Sequence, residues 1–341
     1  MSSDSTTKEL VKPLKADGAV AHASTESRRQ VVTLLLPWVV LVVLYAALVF
    51  KAPGYLTEVR SVSFLVYSIT TLGVVAMGQL CVILIGGIDL SVSATLTLAN
   101  VVTAFIVADG TNTHLFKAVV VCMLIGSVIG LANGLVITKL GMPDMIATLA
   151  MMTLVTGAMF IFRTGHTNTG CAPALVSFSK DPLLGPIMPA ALVWLLLAVV
   201  LMVGLQKTTF GRQVFAVGLS RGAAHAAGIS VTRTTIVLYV ISGVCAAMAG
   251  VLMTGQTGGM TLKSGDPYQL LSIAAVVLGG TSIFGGRGGY GSTIAGVAII
   301  IILKIGLLPA LGLSSAAQNI IFGLVIIVML VIFRFGGKRD D

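Results

Sequence analysis

Along this chain, long apolar runs alternate with short polar or glycine-rich interruptions. Runs such as "VVTLLLPWVVLVVLYAALVF" (31–50) and "IIFGLVIIVMLVIF" (320–333) approach or reach the roughly 20 apolar residues that a helix needs to cross a bilayer. With that length as ruler, the pattern predicts about ten crossings. They fall at 31–50, 62–85, 89–107, 117–138, 143–162, 187–205, 235–255, 269–284, 291–309 and 316–333. The fold class is therefore an all-α, polytopic integral membrane protein. The division is a disordered tail over 1–30, one membrane domain over 31–335 and a second short tail over 336–341. The first 30 residues lack the apolar core of a signal peptide, and 31–50 is too long to be one.

Composition strengthens this reading. Hydrophobic residues make up 56% of the chain and charged residues only 10%, with a mean hydropathy of +1.03. A soluble domain carries about 25% charged residues, so most of this surface must face lipid or other helices. The net charge of +9 invites a nucleic-acid reading, but the basic residues sit singly or in pairs between apolar runs, with no patch. They are better read as a topology signal. With the amino terminus inside, Lys139, Lys207, Arg212, Arg221, Arg233, Arg287, Arg334, Lys338 and Arg339 all fall on the cytoplasmic side. Roughly two-thirds of the basic residues then lie inside, the bias that sets orientation. Both termini are expected to be cytoplasmic.

Glycine is abundant, at 39 residues, and two pairs stand where apolar stretches end: Gly86-Gly87 in "VILIGG" and Gly279-Gly280 in "AAVVLGG". Such pairs permit a helix to break. Broken helices at matching places in two halves mark binding sites in many transporters. Close packing through small residues is the competing explanation. Asp89 follows the first pair and either caps the next helix or serves the path itself. Asp144, after "GMP", reads as a helix cap, and Lys304 as a residue that snorkels or pairs. Between spans, 163–186 is a long outer loop of turn formers. The basic inner loop 206–234 reads as a turn, "GRQVFAVG", then a short helix closed by Gly228, a candidate docking element.

Several chemistries are excluded. "GRGGYG" (286–291) fits G-x-G-x-x-G but lacks the strand before it and the acid about 20 residues on, so it reads as a tight turn at Arg287. No phosphate-binding loop motif occurs. The histidines His22, His114, His166 and His225 have no zinc spacing, and Cys81, Cys122, Cys171 and Cys245 are scattered, so neither a metal nor a disulfide is inferred. Nothing points to an enzyme active site. The spans also hold few ionisable groups of the kind that move a coupling ion.

"VILIGGIDLSVSA", "NGLVITKLGMPDMIATLAMM", "GRQVFAVGLSRGAAHAAGIS" and "YQLLSIAAVVLGGTSIFGGRGGYGSTIAG" together resemble the permease subunit of the ribose/xylose/galactose branch of ABC importers. The resemblance covers about 60–333, with the four motifs in family order. It implies a bacterial inner-membrane permease for a monosaccharide or small polyol. It further implies a cytoplasmic ABC ATPase that carries the ATP, with no cofactor in this chain. A periplasmic or lipid-anchored sugar-binding protein and a second permease copy, identical or sister, complete the assembly. Gly86, Gly87, Asp89, Leu90 and Ser91 match the family's "GGIDLS", and with Gly279 and Gly280 are assigned to helix breaks or the translocation path. Gly211, Arg212, Ala223, Ala224 and Gly228 match the segment that docks on the ATPase.

Two stretches depart from the family pattern. Where the coupling segment usually reads N-E-x-A-A-R, this chain has Ser220, Arg221, Gly222, Ala223, Ala224 and His225, a base in place of an acid. Where the family has Y-E-L-D-A-I-A-A, this chain has Tyr268, Gln269, Leu270, Leu271 and Ser272, without either acid. The competing functional reading is a stand-alone secondary transporter or facilitator. A membrane scaffold makes poor sense of the paired glycine breaks.

Overall fold

In a computed structural model, residues 35–159 and 170–336 are described. The tail expected over 1–30, most of the short tail over 336–341 and the start of the 163–186 loop lie outside them. Every predicted crossing contains a helix. These are α1 (Leu35–Lys51), α3 (Val59–Ile83), α4 (Val92–Ile106), α5 (Leu115–Lys139), α6 (Asp144–Met159), α8 (Pro189–Lys207), α11 (Val231–Thr257), α12 (Asp266–Leu278), α13 (Tyr290–Ala310) and α14 (Ser315–Gly336). Shorter helices intervene: α2 (Pro53–Thr57), α7 (Pro173–Lys180), α9 (Thr209–Leu219) and α10 (Arg221–Ala226). Among the described residues no strand forms beyond one isolated bridge, Leu184 to Ile187.

Among the described residues five helices are long and apolar enough to cross a membrane alone: α3, α5, α8, α11 and α13. The protein is a multi-pass membrane protein. Its outer faces fit that solvent, with Leu124, Val128, Leu196 and Val200 all exposed. α3 and α11 form the centre, and α11 packs on α3, α4 and α5. The α5–α11 seam is built from glycines one turn apart, Gly126, Gly130 and Gly134, lying against the backbone of Gly243, Tyr239 and Ile236. Any side chain at Gly126 or Gly130 would overlap a carbonyl of α11, so the two helices run together at the closest approach backbones allow. A second tie crosses from α8 to α3. The Trp194 indole donates to the Tyr290 hydroxyl (2.7 Å), which donates to the Gly73 carbonyl (2.8 Å).

Among the described residues four apolar helices, α1, α4, α6 and α12, are shorter than a straight crossing needs. At 1.5 Å per residue, α4 is about 23 Å long and α12 about 20 Å, against a hydrocarbon core of about 30 Å. Each abuts one glycine pair. The run expected at 269–284 therefore stops as a helix at Leu278, because Gly280 takes φ +82°, which a helix cannot continue. The apolar "SIF" that prolonged the pattern lies in a turn, with Phe284 exposed. Lys304 sits in a π-helical turn of α13 (Ile302–Leu307), its ammonium 5.7 Å from the centre of the Phe322 ring.

Candidate functional site: a junction of two helix breaks and a third segment

α3 ends where Gly86 takes φ +75°, a left-handed conformation that stops the helix, and the chain runs on through Ile88, Asp89 and Leu90 before α4 begins. Asp89 is 1% exposed. Its Oδ1 accepts from the Ser91 amide (3.0 Å) and the Ser91 hydroxyl (2.6 Å), while Oδ2 accepts from the Ser242 hydroxyl of α11 (2.8 Å). Asn133 of α5 donates to Ser91 Oγ at 2.8 Å. The carboxylate thus holds the entry to α4, as a cap does, and also ties the break to α5 and α11. α6 closes the site from another side: the Thr148 hydroxyl is shared between the Asp144 carbonyl of its own helix (2.9 Å) and the Ile88 carbonyl (3.2 Å). A buried carboxylate is tolerated only when its acceptor sites are filled, and here three donors fill them.

The second break, 279–289, is held differently. Gly279 packs directly on the backbone of Thr293. The turn is closed by Ser282 N–H to the Arg287 carbonyl (3.0 Å) and Gly285 N–H to the Ser282 carbonyl (3.1 Å). The Arg287 side chain is exposed. The Thr281 hydroxyl is buried without a protein partner.

The two breaks meet. Gly286 N–H donates to the Leu84 carbonyl at 2.9 Å, and the Phe284 carbonyl lies against Gly86. A third segment enters the same point. Gly218, near the end of α9, lies so close that a methyl group there would overlap the Leu84 carbonyl and stand 2.5 Å from the Gly286 nitrogen. Gly218 was not singled out by its sequence context, and only its place in "VFAVGLS", at a helix end, hints at it. The stretch "GRQVFAVG", expected as a turn, is instead helical. Thr208 caps α9 by accepting from Gly211 N–H at 3.1 Å, and Gly211 fits a corner where a side chain would overlap the Leu205 carbonyl.

α10 follows Ser220, whose hydroxyl accepts from Ala223 N–H (3.2 Å), and ends before Gly228 at φ +80°. Arg212, Ala223 and Gly228 are exposed, whereas Ala224 is buried against the apolar core. Arg221, the base that replaces the family's acid, engages Asp144 of this same chain, its Nη2 3.4 Å from Oδ2. In α12, Gln269 is half-buried, Leu270 exposed, and Leu271 and Ser272 buried, so the position where the family has its second acid is filled by a packed leucine. A cavity of about 430 Å³ among α3, α5, α7, α8 and α11 is lined by side chains such as Val74, Met123, Phe178 and Met248 and presents almost no polar surface. It cannot serve a hydroxylated solute. Among the described residues no group of His, Cys, Asp or Glu could hold a metal.

Two helix breaks and the helical segment α9 thus meet at one point. Residues 61–330 match the family model described as "Branched-chain amino acid transport system / permease component". The chain belongs to that family of permease components. It is similar to the ribose import permease protein RbsC of Bacillus subtilis (strain 168), 39% identical over 77% of this chain and 81% of that protein. RbsC of Escherichia coli (strain K12) is 32% identical over 86% and 91%, and the L-arabinose transport system permease protein AraH of the same strain is 33% identical over 88% and 90%. No solved structure matches the chain. As a permease component, the chain is a transport subunit and not an enzyme.

Proposed function

We propose that this chain is the membrane-spanning subunit of an ATP-driven importer for a monosaccharide or a similar small polyol in a bacterial inner membrane, with both termini in the cytoplasm. The names of the similar permeases, for ribose and arabinose, support a sugar over the amino acid of the family description. ATP is bound and hydrolysed by a separate cytoplasmic ABC ATPase, and this chain carries no cofactor. A periplasmic or lipid-anchored binding protein delivers the sugar. A second permease copy, identical or sister, completes the path. The translocating domain is 31–335, with 206–234 as its coupling loop.

The observation that carries this reading is the junction of Leu84, Gly218 and Gly286. An inner segment that touches both helix breaks by backbone alone can pass a displacement to them without loss in flexible side chains. ATPase closure would press on Ala223, Arg212 and the exposed apolar tips Leu219 and Phe284, and α9 would shift the two breaks together. Alternating access follows from that shift.

The test is to purify the tagged protein from its own host in mild detergent and identify by mass spectrometry what comes with it. A stoichiometric P-loop ATPase is the expected companion. Repeated purification alone, with gradient-driven sugar uptake by the lone chain in liposomes, would overturn the reading in favour of a facilitator.

A further inference from the structure

Arg221 and Asp144 lie 77 positions apart in sequence, and each ends up in a telling place. Arg221 opens α10, the helix that faces the proposed ATPase, and is half-exposed. Asp144 opens α6, the helix whose Thr148 hydroxyl reaches the Ile88 carbonyl of the first break. The Asp144 carboxylate also reaches the break itself: Oδ2 stands 2.9 Å from the point where a side-chain carbon on Gly87 would be. The same point is 2.9 Å from the hydroxyl of Tyr239 on α11. Gly87 is thus the space left between a carboxylate and a phenol.

That phenol is the second observation. Tyr239 is fully buried, and its hydroxyl has no hydrogen-bond partner. A buried hydroxyl left unpaired is costly enough to call for a partner in some state of the molecule. The polar atom that shares that point with the hydroxyl is the Asp144 carboxylate, now engaged by Arg221, whereas the oxygens of Asp89 already accept from Ser91 and Ser242. Asp144 is the acceptor that can change hands.

We propose that Asp144 is a two-position latch. In the arrangement seen here it pairs with Arg221 and fastens the coupling helix to α6. When α10 is drawn away, the carboxylate turns across Gly87 to accept from the Tyr239 hydroxyl, and α6 and the first break follow it. Arg221, Asp144 and Tyr239 are positioning residues: they touch no sugar and no nucleotide, and set how much of the ATPase movement reaches the break. An ion pair at 3.4 Å whose guanidinium is half open to water is weak, which suits a contact that must break at every cycle. The base at 221 therefore has its counterpart inside this chain and need not seek one on the ATPase.

This inference rests on the ATP-driven reading above. Its test uses proteoliposomes holding the full assembly of permease, ATPase and binding protein, with sugar import and ATP hydrolysis measured together. Arg221→Gln and Asp144→Asn are each expected to lower sugar imported per ATP by about two- to five-fold, the scale of a half-exposed pair, with the half-saturating sugar concentration unchanged. The double variant should be no worse than either single one, and Arg221→Lys should recover most of the ratio. Tyr239→Phe is the sharpest probe. It deletes a hydroxyl that bonds to nothing here, so thermal stability should hold while the import-to-ATP ratio falls. A wild-type ratio in Tyr239→Phe, or additive losses in the double variant, overturns the latch while ATP-driven import itself stands. Absence of ATP-driven import in the wild-type assembly overturns the functional reading and the latch with it.

Discussion

The two helix breaks begin from the same chemistry, a glycine pair after an apolar run, and end as different devices. The first, Gly86-Gly87, is locked by side chains from three helices: Ser91 at the start of α4, Asn133 on α5 and Ser242 on α11 converge on or behind Asp89. The second, Gly279-Gly280, has no charged partner among the described residues. Glycine turns, backbone hydrogen bonds and local hydroxyl contacts from Ser282, Ser292 and Thr293 hold it, and Thr281 leaves its hydroxyl unused. A side-chain lock resists distortion because each bond lost leaves a buried group unpaired, whereas a glycine turn can flex with little lost. The first break is therefore the stiffer body, which moves as a unit, and the second the one that flexes, and α9 touches both.

This contrast can be broken from either side. The largest effect is expected from Asp89→Ala, which leaves the Ser91 amide, the Ser91 hydroxyl and the Ser242 hydroxyl without an acceptor. A loss of about 3 kcal/mol or more is expected, at roughly 1–3 kcal/mol for each buried group left unpaired. It should appear as a large drop in unfolding temperature in detergent, with import abolished. Asp89→Asn keeps an acceptor for Ser91 and should retain much of the activity. Equal loss in both variants would show that the charge itself is needed.

Ser242→Ala is expected to be milder, about 1–2 kcal/mol, since it removes one donor from Oδ2 and leaves the Ser91 bonds intact. Ala223→Asp, on the exposed face of α10, should leave the unfolding temperature within a degree or two of wild type, roughly the scale of a neutral surface change, yet stop ATP-driven import. Ala224 would be a poor choice for that test, because its side chain is buried and an acid there would unfold the segment. The smallest effect belongs to the second break. Thr281→Val removes an unpartnered hydroxyl and should alter stability by no more than about 0.5 kcal/mol. A large destabilisation there would mean that the second break is locked as firmly as the first.

Much of the fold was legible from the alternation of apolar runs, because the bilayer makes span length a physical ruler and each predicted crossing holds a helix. What escaped was set by three-dimensional approach. Hydropathy carried the crossing past Gly280 to Phe284, since apolar character continues where the backbone cannot. α7, only eight residues long, was too short to show a period inside a loop of turn formers, yet its Ser179 packs on Gly255 of α11. At the site, Asp89 and its neighbours announced a break through "GGIDLS", while Ser242, 153 positions away, could not be paired with it from sequence. Gly218 looked like any loop glycine until the Leu84 carbonyl appeared against it. Arg221 looked like a charge meant for another protein until Asp144 was found beside it.

The most direct measurement compares Gly218→Ala with wild type in proteoliposomes that contain the ATPase and the binding protein. Sugar uptake and phosphate release are recorded in the same vesicles, and the unfolding temperature of each permease is measured in detergent. The added methyl group overlaps the Leu84 carbonyl and must push α9 away from both breaks. The account predicts that ATP hydrolysis continues while uptake falls at least about ten-fold, as when a step costs about 1.4 kcal/mol, within the range for overpacking a tight contact. Uptake per ATP equal to wild type in a correctly folded Gly218→Ala protein would contradict it.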